Sequence, residues 1–419
     1  MNLPRWSAWR VLLLGGALAV AVALAVTQGR HQHIGDDFAV FWQAGRSFAT
    51  GGPLYHGYPP GARPFKYPPF AAFLFQPLGL LPLPVAATVF SLLNLILWIV
   101  AAYLTWQIVD RYSRDRNPSR LPFLLAIAFS AQFFLDNFHH VQMNGVIFVL
   151  VLLGIHAYLQ RKDIQAAAYL VTATAIKITP IFFVAWLLIR GRRRAALAAP
   201  LLGLGCIVLP LLVRGPSTGA ADLVEYHRSF LETQQHADIG SYSAGQNLAA
   251  LVTRMTRPVE YFGHGPYMYL PASERTAQVA YEVLWVIVLL VFLGRLVLLR
   301  RRHDAVSAIE LSMVFLTSLL LSPITFTTHM VSLLFVFYTF LSIRLTTLSP
   351  SGRVIIPLLL VAIAGIGLSG SDLVGRTVYL DVRGYSLMAW TMLLLFVTAQ
   401  ATLDKRFIVS TRRNLRSAG

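Results

Sequence analysis

Two adjacent carboxylates, Asp36 and Asp37, open an aromatic stretch, GDDFAVFWQAGRSFAT, which is followed by a proline-rich return carrying Arg63, Lys66 and Tyr67. A carboxylate held within hydrogen-bond reach of a hydroxyl can take its proton in a transfer reaction. It can equally cap a helix that begins near Phe38, where free backbone N–H groups and the helix dipole favour negative charge. Residue type and spacing leave both readings open.

The other polar residues that could do chemistry are scattered. Gln142 and Asn144 close a DNFHHVQMN segment, Lys177 opens KITP, Gln246 and Asn247 are adjacent, and His329 ends SPITFTTH. Lys177, beside a helix-breaking proline, can hold a phosphate as a point charge or snorkel to an interface as an anchor. His139, His140 and His329 raise the question of zinc. None forms the i, i+4 pair with a nearby acid that zinc enzymes use, so no metal and no cofactor enter the reading. The single cysteine, Cys206, excludes an intramolecular disulfide and a thiolate cluster. No GxSxG, P-loop or Rossmann glycine pattern is present, which leaves nucleotide chemistry without support.

The elements that must position these residues are membrane helices. Of 419 residues, 56% are hydrophobic and 13% charged, and the mean hydropathy is +0.62, a composition that marks an all-α polytopic membrane protein. With the N-terminus inside, the run 11–27 crosses outward and the first outer loop is 28–69. Residues 70–82, punctuated by prolines, dip into the interface before 85–109 returns to a basic loop at 110–120. The runs 121–135 and 145–160 flank an outer turn. Next comes 164–189, which ends in RGRRR; read as one span it would put that cluster outside, so it is read as a hairpin with Lys177 near its tip. The runs 195–213, 278–299, 305–321, 330–343, 354–368 and 385–403 complete about ten crossings plus the hairpin, or about twelve helical elements. A large outer loop spans 214–277, and both termini are cytoplasmic. This layout gathers most of the 35 Lys and Arg on the inner side, so the net charge of +17 is a belt set by topology and nucleic-acid binding has no place. No repeat divides the chain, and 1–419 reads as one membrane domain.

Laid out this way, Asp36, Asp37, Arg63, Lys66, Gln142, Asn144, Lys177, Gln246, Asn247 and His329 fall on one outer side. The ordered set DFAVF from Asp37, GPLY to Tyr55, FKYPPFAA from Phe65, Gln142-Met-Asn144, Lys177-Ile-Thr-Pro180, Gln246-Asn247 and Ser322-Pro323 with His329 resembles glycosyltransferase family 87. That family has the GT-C architecture and contains polyprenyl-phosphate-sugar-dependent mannosyltransferases and arabinofuranosyltransferases. The resemblance implies an inverting transfer, mannose being the expected sugar, from a polyprenyl-phosphate donor to a lipid or glycan acceptor at the outer face of the plasma membrane. It also implies that Asp37 is the catalytic base, that His329 lies near the reacting centre, and that Lys177, with Lys66 or Arg63, faces the phosphate. Asp36, Tyr67, Gln142, Asn144, Gln246 and Asn247 are the remaining candidates for the substrate groove. The rival reading is a transporter or flippase gated by the broken hairpin, although no second, matching broken segment accompanies it.

Overall fold

The computed structural model describes residues 8–112, 119–235, 244–344 and 348–404. Seventeen α-helices and one 3-10 helix, and no strand, occur among the described residues. Arg5, the centre of the 110–120 loop and the basic tail beyond Asp404 lie outside them.

Each expected crossing is matched by a helix. Five are long and apolar enough to cross a bilayer alone: Leu83–Tyr112, Leu121–His139, Arg193–Arg214, Glu274–Arg301 and Pro350–Gly367. Ser371–Gly384 with Leu387–Leu403, bent by 57°, makes a sixth if counted as one span. Length and composition therefore qualify fewer spans than the ten expected. Asn144–Leu159 and Ala308–Leu321 have 16 and 14 residues, about 24 and 21 Å at 1.5 Å per residue, against a hydrocarbon core of about 30 Å. Both are buried among other helices in the main apolar core, where protein rather than lipid surrounds them.

The broken element is a hairpin, as its charges require. Asp163–Ile176 and Ile181–Arg190 are separate helices, and Pro180 interrupts the hydrogen-bond ladder between them. Their ends remote from Lys177 meet. Arg192 Nε donates to Asp163 Oδ1 (2.6 Å), its Nη2 donates to the Tyr158 carbonyl (2.6 Å), and Tyr158 Oη donates to the Arg190 carbonyl (3.0 Å). The same end carries a buried ion pair, Arg190 Nε to Glu310 Oε1 (2.8 Å), which Trp186 Nε1 also joins (2.8 Å). Arg295 adds a contact there through Asp404 (Nη2 to Oδ2, 3.0 Å). Lys177 is thereby carried to the opposite end of the bundle.

Five helices lie outside the crossing count: Asp37–Thr50, Pro69–Gly79, Pro216–Gln235, Leu248–Thr256 and Ser371–Gly384. The first two form one unit. Bare glycines let their backbones touch: a Cβ on Gly45 would meet the Phe75 carbonyl oxygen at 2.3 Å, and one on Gly79 would meet the Arg46 nitrogen at 2.2 Å. Phe38 and Phe41 pack on Phe75 with ring centroids 6.4 and 5.1 Å apart. Gly51, at φ +76°, ends the Asp37–Thr50 helix in the left-handed conformation that only glycine adopts without cost.

Candidate active site

Asp37 is the first residue of its helix and Asp36 sits at the N-cap position. Asp36 does not cap: its side chain accepts no bond from the helix, because Oδ2 turns back to the His33 backbone N–H (2.6 Å). The expected cap is replaced by a bond that fixes the chain just before the helix. Asp37 then projects freely. Its Oδ1 pairs with the Arg63 guanidinium, and its Oδ2 accepts from Gln142 Nε2 (2.7 Å). His140 Nδ1 stands 3.9 Å from Asp37 Oδ2, while the same ring's Nε2 lies 3.5 Å from Asp136 Oδ1.

The proline-rich return is held by tyrosines. Tyr55 Oη donates to the Tyr67 carbonyl (2.7 Å), Tyr58 Oη donates to the Leu54 carbonyl (2.7 Å), and the Phe65 N–H donates to Tyr58 Oη (2.9 Å). With Leu54 and Phe65 each 1% exposed, the loop is anchored and Arg63 reaches Asp37. Tyr67 stacks near Phe41 (4.6 Å between centroids). Burial pushes its phenol pKa up, and Asp37 adds to the shift. Lys66 is exposed on the same loop.

Lys177 is buried, at 8% exposure. Its Nζ donates to Asn144 Oδ1 (2.9 Å), lies 2.9 Å from His329 Nε2, and sits 5.9 Å from the Tyr67 ring centre. The backbone N–H of Phe326 points at His329 Nδ1 (3.2 Å), an arrangement that favours the tautomer with its proton on Nε2, facing the lysine. A neutral amine accepts that proton's hydrogen bond and an ammonium does not. Burial acts in the same direction by lowering the Lys177 pKa, against a smaller opposing pull from Asp37.

Lys177, Asn144 and His329 line the polar part of a pocket that continues inward between Phe148, Phe183 and Phe315. Gln246 and Asn247 are not on it. Asn247 caps Leu248–Thr256 by accepting from the Ala250 N–H (3.0 Å) and donates to the carbonyls of Ser322 (2.6 Å) and Pro323 (2.7 Å). The Gln246 N–H donates to the Thr325 carbonyl (2.6 Å) and its Nε2 to the Arg383 carbonyl (3.3 Å). These two residues hold the turn that presents His329.

The structure thus brings Asp37, Arg63, Gln142, Tyr67, Lys177, Asn144 and His329 together. It adds Asp136, which accepts from Thr327 Oγ1 and braces the 3-10 helix bearing His329. Asp136 carried no spacing signal in the sequence, being one acid in a short polar turn.

Comparison with known proteins bears directly on this arrangement. The profile of glycosyltransferase family 87 matches residues 65–323, which include Lys66, Tyr67, Gln142, Asn144 and Lys177. This chain belongs to glycosyltransferase family 87. A polyprenol-phosphate-mannose-dependent alpha-(1-2)-phosphatidylinositol mannoside mannosyltransferase of Mycobacterium tuberculosis is 30% identical over 226 residues, 51% of this chain and 51% of the relative. A protein of the same description from Mycolicibacterium smegmatis is 26% identical over 266 residues, 60% of this chain and 58% of the relative. The chain therefore matches between half and three-fifths of the length of these curated relatives.

Proposed function

We propose that this family 87 protein is an inverting glycosyltransferase that moves mannose from a polyprenyl-phosphate donor to a lipid or glycan acceptor on the extracytoplasmic side of the plasma membrane. The observation that carries the proposal is the division of the site: an anchored carboxylate, Asp37, held by Gln142, and a separate buried nitrogen pair, Lys177 with His329, held by Asn144.

Inversion needs opposed faces. The acceptor hydroxyl oxygen bonds to the anomeric carbon from one side while the bond from that carbon to the phosphate oxygen breaks on the other. The hydroxyl proton goes to Asp37, and the electron pair leaves with the phosphate. Arg63 and Gln142 orient Asp37, each using one oxygen and leaving further lone pairs for the proton. The departing phosphate gains negative charge, which Lys177 as ammonium and His329 Nε2–H are placed to stabilise. A lipid donor accounts for the membrane setting, and the relatives' dependence on polyprenol-phosphate-mannose supports that donor and a phosphatidylinositol mannoside-like acceptor. The outward placement of the site follows from the basic residues at the other end of the bundle, among them Arg190, Arg192 and Arg295. Termini on the cytoplasmic side belong to the same reading.

The test is to incubate membranes containing the protein with radiolabelled polyprenyl-phosphate mannose and, separately, polyprenyl-phosphate arabinose. Mannose is expected to move to an extractable glycolipid or glycan. Transfer of arabinose alone would replace the sugar, and no transfer from either donor would sink the proposal.

A further inference from the structure

Between the base and the phosphate side runs a short turn, residues 140–144, from which Gln142 reaches Asp37 and Asn144 reaches Lys177. Its backbone is strained. Val141 has φ +47°, a left-handed conformation that a β-branched side chain adopts only when its surroundings force it. Val141 is the left-handed residue of the turn that ends Leu121–His139, where the Val141 N–H donates to the Phe138 carbonyl at 3.0 Å, and two buried asparagines from different helices brace the carbonyl that follows it. Asn94 of Leu83–Tyr112 and Asn137 of Leu121–His139 are each 0% exposed. Both donate to the Gln142 carbonyl, Asn94 Nδ2 at 3.1 Å and Asn137 Nδ2 at 3.3 Å, and the Gln142 N–H donates back to the Asn137 carbonyl at 2.9 Å. Gly145 makes the approach possible, since a Cβ there would meet Asn94 Oδ1 at 2.9 Å.

Two polar side chains from different helices converge on one carbonyl inside an apolar bundle and fill both of its lone pairs. Their joint effect is to stop the turn from relaxing about Val141. We propose that Asn94 and Asn137 are positioning residues that lock the 140–144 turn in its strained form and so set Gln142 against Asp37 and Asn144 against Lys177 in one fixed relation. The inference rests on the proposed transfer reaction for its catalytic meaning. Its structural content stands apart from that reaction.

The experiment has two arms on the full-length protein in detergent. Hydrogen exchange of the 140–145 amides reads the lock without any substrate: Asn94→Ala and Asn137→Ala, singly and together, should speed it about tenfold or more, since the strain stored at such a residue is of that order. Transfer from polyprenyl-phosphate mannose reads the consequence: the double variant should lose about a hundredfold, the cost of misplacing catalytic groups by about an ångström. Adding Val141→Gly to the double variant should return at least about tenfold of that loss, because glycine adopts positive φ without strain. Unchanged exchange in well-folded variants overturns the proposal, as does a Val141→Gly change that deepens the loss. Failure of both single variants to fold overturns it in favour of a purely structural role. Wild-type protein that transfers no sugar refutes the reaction, and the exchange arm still decides the lock.

Discussion

At the residue scale the two neighbouring aspartates separate cleanly. Asp36 is tied to the His33 backbone and Asp37 faces Arg63 and Gln142. Asp37→Asn keeps volume and hydrogen bonding but removes the basic lone pair, so transfer should fall at least about a hundredfold with donor binding retained. Asp36→Asn should keep most of its activity, and single-turnover assays on both variants decide between them. Lys177 carries a pH signature. Burial lowers its pKa, so the empty site favours the amine, whereas a bound phosphate favours the ammonium, and donor binding takes up a proton. Asn144, Tyr67 and His329 face it, and Asp37 is the charged group that pulls against the burial. Raising the pH therefore weakens donor binding well below the ordinary lysine value of about 10.4. The donor KM should climb with pH in the wild type. Lys177→Arg, always charged, should flatten the climb, and a wild-type KM indifferent to pH would count against a neutral resting lysine.

At the element scale the hairpin is held by its far end. Arg190 and Glu310 are 5% and 1% exposed, and removing one partner leaves a buried charge uncompensated. Glu310→Gln should destabilise the fold by about 3–5 kcal/mol, while Arg190→Met with Glu310→Leu together should recover much of that. Thermal unfolding in detergent, followed by tryptophan fluorescence, reports both. The helix pair that carries Asp37 depends instead on bare backbone contact. Gly45→Ala would drive a methyl into the Phe75 carbonyl, so it should part the helices and cut transfer more than it lowers expression. Equal effects on both would mean that the contact serves folding alone.

At the scale of the whole molecule, the site and the arginine belt lie at opposite ends of the bundle, and in the proposed orientation, argued from the charge rule, the belt faces the cytoplasm. In a Cys206→Ser background, a cysteine at exposed Ser217 should react with an impermeant thiol reagent added outside, and one at exposed Ser351 should not. The reverse pattern would turn the protein over and place the proposed acceptor on the cytoplasmic side.

The sequence by itself determined the helical membrane class, the order of the apolar helices and the hairpin at Lys177, because hydrophobic runs and the placement of basic residues are local properties that a bilayer reads directly. It also singled out Asp37, Gln142, Asn144, Lys177 and His329, whose polarity is conspicuous against apolar neighbours. It did not separate those residues from Gln246 and Asn247, equally polar and equally placed, which the fold turns away to hold the Ser322–Pro323 turn. Nor did it mark Asn94, one asparagine in a long apolar helix, or Asn137, one polar residue among several in the DNFHHVQMN segment. Which buried polar group faces a substrate and which braces a backbone depends on contacts between residues as far apart as 152 positions in the chain, and only the tertiary structure decides it.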